Sequence, residues 1–301
     1  KWHLNLTTPA SNLQIPNLIG YDHYAGNFLG AITSYTNWTK ITNGVSSTST
    51  VYATTETAND AISWIKAQNN NQFFLWLAFN APHTPLHLPP LALHSYTTLS
   101  GTTADINTNP KLYFKAALEA LDHEIGRLID SLVAFNKMDS TNIIFMGDNG
   151  NATKYAQISN TARTKGTIYQ YGTHVPFIIS GPAVVNPKRV SSELINTADV
   201  FATVLELFGF ANWPAQIPTN KPVDSKSILP ILKDQSGAIR PWAFTEIFKQ
   251  TPDSAEGKAM LNTDYKLLDF DYGKQEFYNL TLDPNEANDL LLGAVTTTDI
   301  S

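Results

Sequence analysis

Three groups of side chains in this sequence have the chemistry for an anion or a cation. At the opening, KWHLNL sets Lys1 and His3 on either side of Trp2, an odd pattern for a disordered tail. His83 lies between prolines in NAPHTPLHLPP. It can move a proton near neutral pH, or simply pack in a rigid loop. Asp148 and Asn149 sit in GDNG, and Lys165 follows in RTKGTIY. A carboxylate beside an amide oxygen suits Ca²⁺ or Mg²⁺, but Ca²⁺ takes about 6–8 oxygens, so further ligands must come from elsewhere. Asn-Gly is also a turn dipeptide, although here a long polar loop follows, not a strand. Lys165 is either a solvated loop lysine or, with Arg163 and Lys154, part of a surface facing an anion. His23, His87 and His94 read as loop residues. His123, one helical turn after Glu119, reads as surface.

The elements that must position these groups alternate. Residues 5–50 read as loop and short elements. Residues 54–66 predict a helix with Ala58, Ala61, Ile62 and Ile65 on one side, stopped by Asn69-Asn70-Asn71. FFLWLAF (73–79) predicts a strand buried on both faces, running into the His83 loop. A long helix follows, with Leu118, Leu121, Ile125, Leu128, Leu132 and Phe135 on its apolar side and Glu119, Asp122, Arg127 and Asp130 opposite. Residues 142–146 predict a second buried strand ending at GDNG, and 175–180 a third, closed by Gly181-Pro182. Thr197 predicts the cap of a helix through Phe208, with Gly209 as its stop. The order implies an α/β fold with a mostly parallel central sheet flanked by helices. Beyond about 236 the pattern changes to short strands and turns, among them Asp271-Tyr272-Gly273. The expected division is therefore an α/β domain over 1–236 and a small antiparallel C-terminal subdomain over 237–301. In open α/β sheets ligands sit beyond the carboxyl ends of strands, so His83 and Asp148-Asn149 are expected to face one crevice.

Composition narrows the classes. The chain has 301 residues, 43% of them hydrophobic, enough for a large buried core. A net charge of −6 argues against a nucleic-acid partner. No apolar run is long enough to span a bilayer. There is no cysteine, hence no disulfide, thiolate metal site or Cys nucleophile within these residues. Asn-x-Thr sequons begin at Asn5, Asn37, Asn151 and Asn279, and the composition leans towards a secreted or periplasmic protein.

Eight stretches in order resemble the type I, formylglycine-dependent sulfatases of the alkaline phosphatase superfamily: KWHLN, FFLWLAFNAPHTP, YFKAALEALDHEIGRLID, NIIFMGDNG, KGTIYQYGTHVPFIISGP, INTADVFATVLELFG, SKSILPILK and KQEFYNLTLDPNEANDL. They cover nearly the whole chain. KWHLN matches the family's Gly-Lys-Trp-His-Leu-Gly signature entered one residue late. The resemblance implies that the N-terminal part of the family lies outside this chain. That part carries two metal-binding aspartates and the Cys-x-Pro-Ser-Arg motif, whose Cys becomes the formylglycine nucleophile. It further implies that Asp148 and Asn149 are half the shell of one divalent cation, usually Ca²⁺, with Mg²⁺ as the second choice. Lys1 and Lys165 would bind sulfate oxygens. His83 would contact the sulfate near the leaving oxygen and protonate it. His3 would be the base that helps break down the sulfated formylglycine hydrate. Asn149 favours the one-metal arrangement, because related two-zinc enzymes have His there. The family often has Gly-Gly-x-Arg before Val-Pro-Phe; here Tyr171-Gly172-Thr173-His174 stands instead, which puts local packing or the pocket rim in question.

Three functional readings follow. The first is a secreted sulfatase that cleaves the S–O bond of a sulfate ester or a sulfated glycan, with its nucleophile outside this chain. The second is a hydrolase of phosphate, carboxylic or other activated esters using a metal-activated water or a hydroxyl; no Gly-x-Ser-x-Gly motif supports it. The third is a non-catalytic module that binds anions or sulfated sugars. Tyr21, Tyr24 and Trp38 either stack on a sugar ring or pack. Without a first strand, the sheet is expected to present an open edge, covered by the N-terminal part or by a second copy in a dimer.

Overall fold

The computed structural model describes residues 1–293 apart from 236, 250 and 252. The chain divides into two compact units, Lys1–Asp139 and Ser140–Ser301. The expected boundary near 236 does not coincide with this division. The C-terminal sheet packs with the segment before it, since Ile168 and Tyr169 join the core formed by Ala259, Leu268, Phe270 and Tyr278.

The first unit holds strands β1 (Ala25–Gly26), β2 (Trp38–Thr42) and β3 (Val45–Ser49), and helices α1 (Ile15–Leu18), α2 (Ala53–Ala67), α3 (Thr103–Thr108) and α4 (Pro110–Ala134). β2 and β3 form a hairpin with Thr42 opposite Val45. The two turn residues, Asn43 and Gly44, have φ of 47° and 83°. That pair of left-handed residues matches the strand twist.

α2 packs on α4 through small residues. Ala58, Ala61 and Ile65 of α2 are buried, as are Ala116, Ala117, Ala120 and Leu121 of α4. Alanines let the helix axes approach; a leucine at Ala120 would overpack the seam by about 1–3 kcal/mol. The predicted stripe on α4 is therefore shifted. Leu118 is exposed, while Glu124 is buried. Glu124 accepts from Thr55 Oγ1 at 2.6 Å and pairs with Arg127, which reaches Asn59 Oδ1 at 2.7 Å. Arg127 thus crosses the helix seam, although periodicity placed it facing water.

Residues 73–79 form neither a helix nor part of a ladder among the described residues. Phe74 and Trp76 are 49% and 55% exposed, which corrects the expectation of a strand buried on both faces.

The second unit holds β4 (Ile143–Met146), α5 (Gln170–Thr173), β5 (Phe177–Ser180), α6 (Asp199–Leu207), α7 (Leu229–Leu232) and β6–β9 (Ala243–Ile247, Gly257–Leu261, Tyr265–Phe270, Gln275–Asn279). β4 pairs antiparallel with β5, Met146 opposite Phe177. β6 to β9 form the antiparallel C-terminal meander that the sequence indicated. Its core is Ala259, Leu268, Phe270 and Tyr278 with Ile168. All ladders among the described residues are antiparallel; the parallel neighbours expected for 73–79 and 142–146 are not among them. Side chains of β4 and β5 consequently stay partly open, with Phe145 and Ile178 exposed. A two-stranded pair has too few neighbours to bury both faces.

Helix α6 ends as read, with Gly209 at φ 84°. Its start differs. Ala198, not Thr197, is the N-cap, and no side chain caps the first turn; the Asp199 carboxylate instead accepts from Asn196 N and Lys226 N at 2.7 and 2.8 Å and pairs with buried Arg240.

Candidate active site

Lys1 and His3 are held by the backbone around them. Trp2 N donates to Asn27 O, and His3 N to Phe28 O, each at 2.8 Å. The Lys1 backbone nitrogen donates to Ala78 O at 2.5 Å, at the end of the 73–79 segment. Trp2 is the anchor. It packs in a cluster with Phe28 and Ile41, edge-on to Tyr21 and Tyr24 at 5.8 and 5.9 Å. This settles Tyr21 and Tyr24 as packing residues. Trp38 is likewise buried, its Nε1 donating to Val51 O.

His3 has a left-handed backbone, φ 60°, and its ring lies against Gly30. A Cβ on Gly30 would fall 2.4 Å from His3 Cε1 and 2.5 Å from Nε2. The glycine is therefore what makes room for the imidazole. Sequence reading passed over Gly30, because only the fold brings it to His3.

The His83 loop is riveted to the same unit. His83 N donates to Asn80 O at 2.9 Å, and Tyr35 OH donates to His83 O at 2.8 Å. Buried Asn80 accepts from buried Asn27 at 3.4 Å, which ties this loop to the segment that pairs with Lys1–His3. His83 Nδ1 lies 3.0 Å from Thr84 O. A carbonyl only accepts, so Nδ1 carries the proton, and Nε2 is the nitrogen left for a ligand. His87, read as a loop residue, has a structural role. Its ring stacks on Tyr35 at 3.8 Å, and its Nε2 lies 3.0 Å from Tyr52 OH. Burial lowers the His87 pKa and pushes that of Tyr52 up to about 12, so both stay neutral at physiological pH.

In the second unit, the Asp148-Asn149 turn follows β4. Gly147 N donates to Pro176 O and Gly150 N to Gly172 O, both at 3.0 Å. A Cβ on Gly150 would overlap Tyr171 O at 1.7 Å, so the second glycine of GDNG is required by this close approach. Asn149 Nδ2 donates to Gly150 O at 3.0 Å, which orients the amide and leaves Oδ1 as an acceptor. Asp148 is exposed, and its charge is felt by Tyr155. The Tyr155 pKa is raised by burial first and by Asp148 second. Lys165 is exposed and its backbone N donates to Asn151 O at 3.0 Å, two residues past Asn149.

Arg163 does not join Lys165 in facing an anion. Its guanidinium lies 4.4 Å from the Tyr169 ring and 5.5 Å from the Tyr278 ring, and donates to Tyr278 OH at 3.1 Å. Glu276 closes the network, accepting from Tyr169 OH at 2.7 Å and from Tyr278 OH and Lys274 Nζ at 2.5 Å. Burial opposes the Glu276 charge, but these three donors hold its pKa below the usual carboxylate value. The loop that carries Lys165 is thus anchored on the C-terminal sheet.

The structure groups Lys1, His3 and His83 in one unit, and Asp148, Asn149 and Lys165 in the other. Among the described residues there is no cluster of three or more His, Cys, Asp or Glu suited to a metal. Asp148 and Asn149 offer a carboxylate and an amide oxygen, which fits part of a hard-cation shell.

Comparison with known proteins shows the family and the fold. The Sulfatase family model matches residues 1–210, and the model for the N-sulphoglucosamine sulphohydrolase C-terminal region matches 163–300. A sulfatase of Formosa agariphila is 22% identical over 264 residues, covering 76% of this chain and 48% of the relative. The uncharacterized sulfatase YdeN of Escherichia coli is 26% identical over 238 residues, covering 78% and 40%. The chain therefore spans about half or less of the length of these relatives. Ps i-CgsB in complex with k-i-k-neocarrahexaose has a similar fold, with TM-score 0.77 and 22% identity over 96% of this chain and 65% of that one. BT4656 in complex with its substrate D-Glucosamine-2-N, 6-O-disulfate superposes with TM-score 0.72 and 18% identity, covering 93% and 74%. With the family model matched over two thirds of the chain, and the α/β fold shared, this chain belongs to the sulfatase family.

Proposed function

We propose that this chain supplies the sulfate-binding and proton-transfer groups, and part of the metal shell, of an enzyme that hydrolyses sulfuric esters by S–O cleavage. The observation that carries this reading is the Sulfatase family match across 1–210, the span that contains Lys1, His3, His83, Asp148, Asn149 and Lys165. Charge on a sulfate ester shifts towards the leaving oxygen as the S–O bond breaks, and preplaced cationic groups stabilise it. Lys1 and Lys165 bind the sulfate oxygens. His83, with its Nδ1 proton committed to Thr84 O, presents Nε2 to the leaving oxygen and protonates it when in the imidazolium form. His3 serves as a base for the later step. Asp148 and Asn149 hold one divalent cation in part, Ca²⁺ first and Mg²⁺ second. When bound, the cation acts as a Lewis acid on a sulfate oxygen. A formylglycine nucleophile, which requires a Cys, would come from outside these 301 residues.

The substrate in this reading is a sulfated glycan or a smaller sulfate ester. Similarity to structures holding k-i-k-neocarrahexaose and D-Glucosamine-2-N, 6-O-disulfate supports the sugar class. Exposed Phe74 and Trp76 support a covering strand from elsewhere in the protein or from a second copy. The export reading, secreted or periplasmic, rests on composition and is checked by cell fractionation.

The direct test is aryl sulfate turnover by the protein that carries this chain. EDTA should abolish it and Ca²⁺ restore it, while His83→Ala and Lys165→Ala should each lower it by about 10²-fold or more. Turnover indifferent to all three changes would overturn the reading. Turnover by the 301 residues alone would overturn the assignment of the nucleophile.

A further inference from the structure

The sequence offers N-glycan acceptors at Asn5, Asn37, Asn151 and Asn279, and structure separates them. A glycan needs an Asn whose amide is free and whose surroundings open to solvent, with the Thr two residues on equally reachable.

Asn279 fails on space. It is 8% exposed, and its Oδ1 accepts from Leu282 N at 3.1 Å. Asn5 fails on bonding. Its Nδ2 donates both hydrogens, to Leu6 O at 3.1 Å and to Asn12 O at 3.4 Å, while its Oδ1 accepts from Trp2 Nε1 at 2.6 Å. Asn151 lies two residues past Asn149, its carbonyl accepts from Lys165 N, and Thr153 Oγ1 is 2.9 Å from Thr164 Oγ1. A glycan there would stand over the residues assigned to the cation and the sulfate.

Asn37 differs from all three. Both Asn37 and Thr39 are exposed. Between them Trp38 points inward, 2% exposed, with Nε1 bonded to Val51 O at 3.0 Å. This pins the backbone while alternate residues face water, the ordinary pleat of a strand. On one side β2 pairs with β3, Trp38 opposite Ser49 and Thr39 opposite Thr48. On the other, β1 reaches only Ile41 and Thr42, so the start of β2 is an open edge among the described residues. No hydrogen bond of the Asn37 side chain to the described residues competes for its amide.

We propose that Asn37 is the N-glycosylation site of this chain. The ligand class is an oligosaccharide transferred from a lipid-linked donor: the Asn37 Nδ2–C1 bond forms, the sugar C1–O bond to phosphate breaks, its electron pair leaves on the lipid diphosphate, and the proton lost from Nδ2 passes to a base of the transferring enzyme. The inference rests on the export reading above.

The test is to route the protein carrying this chain into a eukaryotic secretory lumen behind an added leader. Glycans are then mapped by peptide-N-glycosidase F in ¹⁸O water, which converts each occupied Asn to labelled Asp. Microsomal and secreted material are both mapped, so a failure to leave the cell does not hide the result. The expected outcome is label at Asn37, a single mass shift on the folded secreted protein, and loss of that shift in Asn37→Gln and in Thr39→Ala. An unlabelled Asn37 in both fractions, or folded secreted protein occupied at 5, 151 or 279 with 37 bare, overturns the proposal. Because the leader forces entry, that result would leave the native-location reading and the sulfatase reading standing.

Discussion

Tyr35→Phe isolates the contact that fixes the proposed acid. The ring is 2% exposed and stacks on His87 at 3.8 Å, and Phe keeps that ring in place. Only the hydroxyl is lost, and with it the 2.8 Å bond to His83 O. A neutral hydrogen bond contributes about 0.5–1.5 kcal/mol net, and a buried acceptor left unsatisfied costs about 1–3 kcal/mol. His83 is half-buried, so the expected loss is about 1–2 kcal/mol. At about 2–4 °C per kcal/mol for a chain of this size class, the melting temperature should fall by roughly 2–8 °C. Freed from this tether, the loop should also lose its single placement of His83. Urea denaturation gives the first quantity, and the ¹⁵N shifts of the His83 ring give the second. Tyr52→Phe serves as the control, since it removes the bond to His87 Nε2 without touching His83. If Tyr35→Phe unfolds at the wild-type midpoint and leaves the His83 ring shifts unmoved, the tether carries no energy and the reasoning is wrong.

Gly30→Ala should leave stability within about 0.5 kcal/mol, since the exposed His3 ring can swing away, but move the imidazole. A displacement of about 1 Å at a proton-transfer group costs on the order of 10²-fold in rate, and unshifted His3 resonances would refute the contact. Lys266 and Glu286 pair at 2.8 Å with side chains 0% and 2% exposed. Glu286→Gln should therefore cost about 3–5 kcal/mol in urea, and the Lys266→Met/Glu286→Leu double variant much less. Equal losses in single and double variants would show that the charge is not what matters. Asp105 accepts from Tyr113 OH, Ser100 N and Asn109 Nδ2, which lower its pKa from 3.8 to about 2. A depressed acid stabilises above its unfolded value, so this contribution is complete above about pH 4 and lost as pH falls towards 2. Carboxyl ¹³C titration checks it; a midpoint near 3.8 would contradict the hydrogen-bond network.

Local rules in the sequence determined a good part of this protein. Ala58, Ala61 and Ile65 lie on the buried side of α2, Gly209 stops α6, and Gly273 turns β8 into β9, because spacing and backbone freedom are properties of neighbours along the chain. GDNG and His83 were visible for the same reason: their residue types are unusual where strands were expected to end. Tertiary structure decided what depends on partners distant in sequence. Arg163 looked like a companion to Lys165, yet its partners, Tyr169 and Tyr278, draw it onto the C-terminal sheet, and Tyr278 is 115 residues away. Arg127 looked solvent-facing until Asn59 of α2 met it across an alanine seam, where Glu124 accepts from Thr55. FFLWLAF carries the hydrophobicity of a buried strand, but burial needs a neighbour on each side. Hydrophobicity is written in the segment itself, whereas the neighbour that satisfies it is supplied only by the fold.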